Sequence, residues 1–270
     1  MATLFEALIA RYPDSSKRTL RNWLKWGRVL HNGRPETKAN LTLEESDTVA
    51  LKERENAPLG IPILYRDDHI LVIDKPAGLL SVPAANAEHS ALSLLCAYYH
   101  TTSLYPVHRI DQGTSGVLLF ARNKEIQRRL GPLFTEHSID REYIAIVEGR
   151  MIQQKGTWQS YLKELDSYNV IETDPTEGRI ATTHFELLRY SKNYSYIKLK
   201  IDTGRKHQIR VHCKKAGHPI LGDKRYGLPS KATRLFLHSY LLRFTHPVTK
   251  KIMSFIAPPP QPFKKLGFTF

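Results

Sequence analysis

The sequence predicts an α+β protein in two parts, a small α/β module at the amino terminus followed by a larger domain of mixed strands and helices. Three observations carry this expectation. Apolar residues recur at helical spacing ahead of Trp26, a charged stretch bearing Pro58, Gly60 and Pro62 breaks the pattern, and the remainder alternates short apolar strands with helical segments. A chain of 270 residues is also longer than one typical domain requires. The expected boundaries are a first domain at 1–52, a linker at 53–62 and a second domain at 63–270.

Within the first part, Leu4, Leu8 and Ile9 form one apolar stripe and Leu20, Trp23 and Leu24 another, with a turn-forming stretch at 12–16 between them. Two short helices are expected. Val29 and Leu30 then lead into Asn32 and Gly33, a pair that tolerates positive φ and so favours a tight hairpin, and a small β element should close the module near Leu51. The linker composition neither packs a core nor continues a strand. Beyond it, residues 69–74 and 117–121 read as buried strands, 124–134 as a helix, and 142–147 and 194–201 as further strands. Ile209, Cys213 and Ala216 suit a buried helical stripe ending at Gly217. The proline-rich stretch at 257–262 reads as a stiff, exposed approach to the carboxyl terminus.

Charge narrows the partner. Lys and Arg number 40 against 26 Asp and Glu, a formal charge of +14, which favours a polyanion, nucleic acid ahead of an anionic membrane surface. Arg18, Arg21, Lys25 and Arg28 recur every three or four residues beside Trp23 and Trp26, a pattern that fits a phosphate-binding face or a plain solvated helix face. No apolar run approaches the roughly 20 residues that span a bilayer, and the first residues lack a secretory leader pattern, so a cytoplasmic protein is expected. Cys96 and Cys213 are too few for a disulfide framework or a cysteine zinc site and are expected as reduced thiols.

The densest cluster of unusual residues is HRIDQGTSG at 108–116, a polar, glycine-bearing loop that runs into the apolar strand VLLFA. Asp111 at its centre could cap a turn or serve as a reactive carboxylate. Ser115 with His108 upstream raises a serine hydrolase, but the nucleophile elbow needs glycine two residues to each side, and these positions hold Gly113 and Val117. His207, His212, Cys213 and His218 raise a metal site; on a strand the first two face apart, and on a helix they lie about 140° apart, so no metal is expected.

Residues 16–34, SKRTLRNWLKWGRVLHNGR, resemble the RNA-binding module named after ribosomal protein S-four, over roughly residues 1 to 52. The 108–116 loop resembles the signature of RluA-type pseudouridine synthases. Further segments agree with that family in its order: DKPAGL at 74–79, REYIA at 141–145, TGRKHQIRVH at 203–212, GHPILGDKRYG at 217–227, and then Leu237, His238 and FIAP at 255–258. The chain departs from the family after Gly78, where a glycine-rich stretch is common in relatives, and this bears on substrate contacts from that loop.

The resemblance implies the pseudouridine synthase fold, a mixed and largely antiparallel sheet, and isomerisation of uridine in structured RNA, ribosomal RNA ahead of transfer RNA, by a monomer without cofactor. It implies Asp111, Tyr143 and Arg210 as catalytic residues, with Arg210 as the cation opposing the carboxylate and Tyr143 against the uracil. Arg109, His108 and Thr114 would bind substrate, Arg109 as the wedge that replaces a flipped base, while Arg18, Arg21, Lys25 and Arg28 would contact the RNA backbone. The reaction breaks the bond from N1 to ribose and rejoins uracil through C5 with no redox change. It therefore needs a fixed carboxylate and a pocket that retains the detached base. A non-catalytic RNA-binding protein and a glycosidic hydrolase are the rival readings; the first would lack the carboxylate and the second would release uracil.

Overall fold

The computed structural model describes residues 2–13, 15, 17–25, 28–51, 56–57, 60–84, 89–136 and 138–267. It divides into two compact units, residues 1–55 and 56–270. In the first, helix α1 (Leu4–Arg11) starts at Thr3, whose side chain accepts the Glu6 amide while the Glu6 carboxylate accepts the Thr3 amide, satisfying donors that the helix leaves free. Helix α2 (Lys17–Lys25) follows, then β1 (Val29–His31), β2 (Arg34–Pro35) and β3 (Val49–Leu51) in the sheet order β2-β1-β3. Asn32 and Gly33 take φ of 49° and 76°, as the hairpin requires. Leu4, Leu8, Leu20, Leu24, Val29 and Val49 form the core.

The second unit opens with β4 (Asn56–Ala57) and β5 (Ile61–Arg66), which pair antiparallel. The linker expected at 53–62 is therefore corrected at its end. Residues 53–55 and 58–59 lie outside the described residues, but Ile61 is fully buried and Pro62 lies within β5, opposite Asn56 of β4. Then come β6 (Ile70–Lys75), α3 (Ala91–Tyr98), β7 (Tyr105–Pro106), β8 (Ser115–Ala121), α4 (Lys124–Thr135), β9 (Asp140–Glu148), β10 (Lys155–Glu164), β11 (Val170–Thr173), β12 (Arg179–Tyr190) and β13 (Tyr194–Ile201). Helix α5 (Gln208–Lys215), β14 (Leu237–Thr245), β15 (Ile252–Ile256) and α6 (Gln261–Lys265) complete it.

These strands form one mixed, largely antiparallel sheet in the order β11-β10-β12-β13-β9-β14-β8-β6-β5-β4, with β15 beside β14 and β7 beside β8. Among the described residues the one parallel pair is β14 with β8. Its two faces explain the unbroken apolar runs. Leu118 and Phe120 of β8 and Leu71 and Ile73 of β6 point into one core, under α3 and α5; Val117, Leu119, Ile70 and Val72 point into the other, under α4. Gly217 ends the α5 turn at φ 79°, and Ile209 and Cys213 are buried as its spacing requires. The 257–262 stretch is not a free approach to the terminus: Ala257 is fully buried, and α6 drives Phe263 into the first core. No described helix is long and apolar enough to cross a membrane.

Candidate active site

Asp111 sits on the loop between β7 and β8, and both neighbours of this residue are tied down. The Ser81 hydroxyl donates to the Ile110 carbonyl at 2.8 Å and accepts the Ile110 amide at 3.1 Å, deep in the core. On the other side, Gly78 N–H donates to the Gln112 carbonyl at 2.8 Å and Gln112 Nε2 donates back to Gly78 at 3.0 Å. Lys75, fully buried, donates to the carbonyls of Leu79, Pro76 and Gln112 at 2.6, 2.9 and 3.3 Å, so that one side chain clips the 76–79 turn to the Asp111 loop. Burial lowers the Lys75 pKa to about 7, with Asp111 acting in the opposite sense. The segment that departs from the family pattern thus contributes Ser81 to the loop's support.

The Asp111 backbone carbonyl accepts the Thr114 amide at 3.0 Å, but its carboxylate caps no turn. Instead Oδ2 accepts from Arg210 Nη1 at 3.0 Å, with His207 Nε2 at 3.9 Å. Arg210 is itself gripped through Nε and Nη2 by the two oxygens of Asp223, each at 2.8 Å. Asp223 is buried, and its Oδ1 also accepts the amides of Arg225 and Tyr226. Burial opposes the Arg210 charge, yet Asp223 and then Asp111 outweigh it and raise its pKa. Burial likewise opposes the Asp223 carboxylate, and Arg210 reverses that and lowers its pKa.

Helix α5 presents His207 and Arg210 because the turn before it is knitted by Gln208. Its side chain accepts from Thr203 Oγ1 at 2.7 Å and from the Arg205 amide at 3.1 Å, and donates to the Thr182 carbonyl at 2.9 Å. His207 enters the helix at φ 53° with no side-chain cap. Its Nδ1 is 2.8 Å from the Tyr226 hydroxyl, which accepts the Val170 amide and so has its proton free for the ring. Burial lowers the His207 pKa to about 4 against the pull of Asp111.

A cavity of about 440 Å³, of a size that holds a small ligand, is lined by Asp111, Tyr143, Arg210, Arg109, His108 and Thr114 among others. Tyr143 projects from β9, is 8% exposed, and belongs both to the core and to this wall. Thr114 is buried beneath the loop. His108 stacks on Phe134 at 4.7 Å, and its Nε2 accepts the Leu119 amide at 3.0 Å, so this nitrogen serves the fold. Burial lowers its pKa to about 3. Arg109 is exposed, lines this cavity and a second one of about 910 Å³ that also borders Asp111, and has no ion-pair partner among the described residues.

Roles for Arg141, His207, Asp223 and Tyr226 went unread in the sequence. Arg141 is 7% exposed on the cavity wall, donates from Nη2 to the Asp202 carbonyl at 2.7 Å, and keeps a buried Nε without a protein partner. Ser115 does meet a histidine, but it is His238 at 2.7 Å; both are buried, Arg234 Nη2 donates to the hydroxyl, and His238 Nε2 faces the Ala257 carbonyl. His212 contacts Ser160 and Thr183, and His218 the Glu148 carbonyl, so the four candidate metal ligands have separate partners or, for Cys213, a place in the core. In the first unit, Arg21 lies over Phe5 at 5.0 Å and Arg28 over Trp23 at 5.4 Å. The side chains of Arg18 and Lys25, and all of Trp26, lie outside the described residues.

A family model described as RNA pseudouridylate synthase matches residues 69–215. The chain is 32% identical to an uncharacterized RNA pseudouridine synthase of Bacillus subtilis, YhcT, over 95% of this chain and 89% of that protein. It is 33% identical to ribosomal large subunit pseudouridine synthase D of Pasteurella multocida over 97% and 89%. Among solved structures, human RNA pseudouridylate synthase domain containing 1 superposes with a TM-score of 0.64 at 25% identity, covering 74% of this chain and 84% of that one.

Proposed function

The chain belongs to the RNA pseudouridylate synthase family, and from that premise we propose that it converts uridines of structured ribosomal RNA to pseudouridine with Asp111 as the catalytic carboxylate. The observation that carries this reading is the line Asp111–Arg210–Asp223 on the wall of a cavity that also holds Tyr143. Arg210 occupies Asp111 Oδ2 and fixes its rotamer, while Oδ1 has no protein hydrogen bond among the described residues and is left to the nucleoside. A carboxylate held this way can act as nucleophile or base at the ribose without reorganising first.

Tyr143 supports retention of the base: its ring closes the cavity beside Asp111, where stacking on an aromatic is worth roughly 1–3 kcal/mol per base and keeps water from the detached uracil. Thr114 supports the floor. A stacked uridine cannot reach this depth, so the target is flipped out of its helix, at a cost of a few kcal/mol. Arg109, exposed and one residue from Asp111, is placed to fill the gap that the base leaves.

Ribosomal RNA is favoured because relatives of this chain bear the name ribosomal large subunit pseudouridine synthase D. The first unit acts in this reading as an S-four-like RNA-binding domain, and its cations, Arg21 and Arg28 with Arg18 and Lys25, approach phosphates. The whole protein would meet this RNA in the cytoplasm. The test is site-by-site pseudouridine mapping, by carbodiimide labelling and primer extension, of RNA from cells with and without the protein. One or a few ribosomal sites should vanish and return with the intact chain but not with Asp111→Asn, while that variant keeps its RNA affinity. Restoration by Asp111→Asn would refute the assignment.

A further inference from the structure

The second cavity beside Asp111 has an aromatic residue at its edge that the reaction does not call for. Strands β10 and β11 form a hairpin whose tip is closed by Leu165 N–H to the Asn169 carbonyl at 2.8 Å and Tyr168 N–H to the Leu165 carbonyl at 2.9 Å. The last tip residue, Tyr168, takes φ 60°. Glycine or asparagine is favoured at such a left-handed position, and a bulky side chain there is strained. The ring earns no burial in return, since Tyr168 is 69% exposed. A residue that is strained and solvent-facing at once points to a contact outside the folded chain.

The surroundings specify that contact. Lys206 Nζ stands 4.8 Å from the centre of the Tyr168 ring and pairs with Glu164, which holds the cation against one face. Lys224 and Arg225 are exposed on the same cavity, and Arg225 Nη1 donates to Asn169 Oδ1 at 2.6 Å, tying the basic loop to the hairpin tip. An exposed aromatic within a basic groove is the arrangement that takes an unpaired nucleotide, base on the ring and phosphate on the cations. Asp111 and Arg109 line the same cavity, so a strand lying in it would run on to a uridine at Asp111.

We propose that Tyr168 is a stacking platform for an unpaired nucleotide flanking the target uridine, with Lys224 and Arg225 on its phosphates; this rests on the function proposed above. The test is pseudouridine formation in large-subunit ribosomal RNA purified from cells lacking the protein, with Tyr168→Ala, Tyr168→Gly and Tyr168→Phe. Loss of one stacked base should lower kcat/KM about tenfold for Ala and Gly, through KM, while Phe stays within about twofold of wild type. Because glycine relieves the left-handed strain, Tyr168→Gly should melt no lower than wild type. A wild-type KM in Tyr168→Gly overturns the inference, and so does an activity loss that tracks a fall in Tm. Wild-type protein that forms no pseudouridine would overturn the function itself, and this platform with it.

Discussion

At Asp111 one carboxylate oxygen is held and the other is left to the cavity, so the geometry of the carboxylate we propose as catalytic depends on what holds Arg210. Three of the guanidinium's nitrogens are engaged at once, two by Asp223 and one by Asp111. A lysine keeps the charge but cannot form a planar fork, so it can satisfy Asp223 or reach Asp111 but not hold both in register. Arg210→Lys should therefore lower kcat by on the order of 10²-fold with little change in RNA affinity, as expected when a reacting group is misplaced by about an ångström. Asp223→Asn should do the same and also destabilise the fold by about 3–5 kcal/mol, because it leaves a buried cation short of its partner. Single-turnover rates beside filter-binding affinities check both. Wild-type kcat in either variant would mean that Asp111 does not depend on this chain of contacts.

Between β8 and β14 the backbone itself sets the site. Gly116 has φ 113°, and a Cβ there would stand 2.1 Å from the Ser239 carbonyl oxygen across the parallel pair. Gly116→Ala would force apart the strands that carry the Asp111 loop and face Tyr143 on β9, so a loss above about 3 kcal/mol, a fall in Tm on the order of 10 °C, is expected by calorimetry. An unchanged Tm would contradict this close approach. Elements of this kind were legible where one local pattern decided them. The helical stripes of α1, α2 and α5, the Asn32–Gly33 turn and the apolar runs of β6, β8 and β9 each follow from spacing alone. Strands β10 and β12 did not stand out, because their exposed faces carry Lys155, Gln159 and Glu186, and neither period dominates. Asp111 was visible as the centre of an odd loop, and Arg210 only through the family resemblance. Asp223 had no signal of its own: its meaning lies in a contact with α5 and two backbone amides, which no spacing rule encodes.

Taken as a whole, the molecule excludes protons from several histidines, and this gives its stability a direction in pH. His108 is pushed down to about 3 and His207, His212 and His238 to about 4, in each case chiefly by burial, from an ordinary value of 6.5. The depressed folded values mean that the unfolded chain binds protons which the folded one refuses. The stability that these histidines contribute is therefore complete above pH 6.5 and falls as the pH drops towards 4, by up to about 1.4 kcal/mol per pH unit for each excluded proton. His207 is partly open to solvent and contributes less, but His212 and His238 are buried and together give about 2.7 kcal/mol per unit at the limit. That slope is large against the usual total of about 5–15 kcal/mol. A formal charge of +14, which grows on the folded chain as carboxylates take up protons at lower pH, adds self-repulsion of the compact state in the same direction. Carboxylates with ordinary affinity titrate mainly below pH 5, so the interval from 6.5 to 5 reports chiefly the histidines. Urea unfolding at pH 6.5, 5.75 and 5 should show a steady fall in the free energy of unfolding. A flat profile across that interval would mean that these imidazoles admit protons in the folded protein.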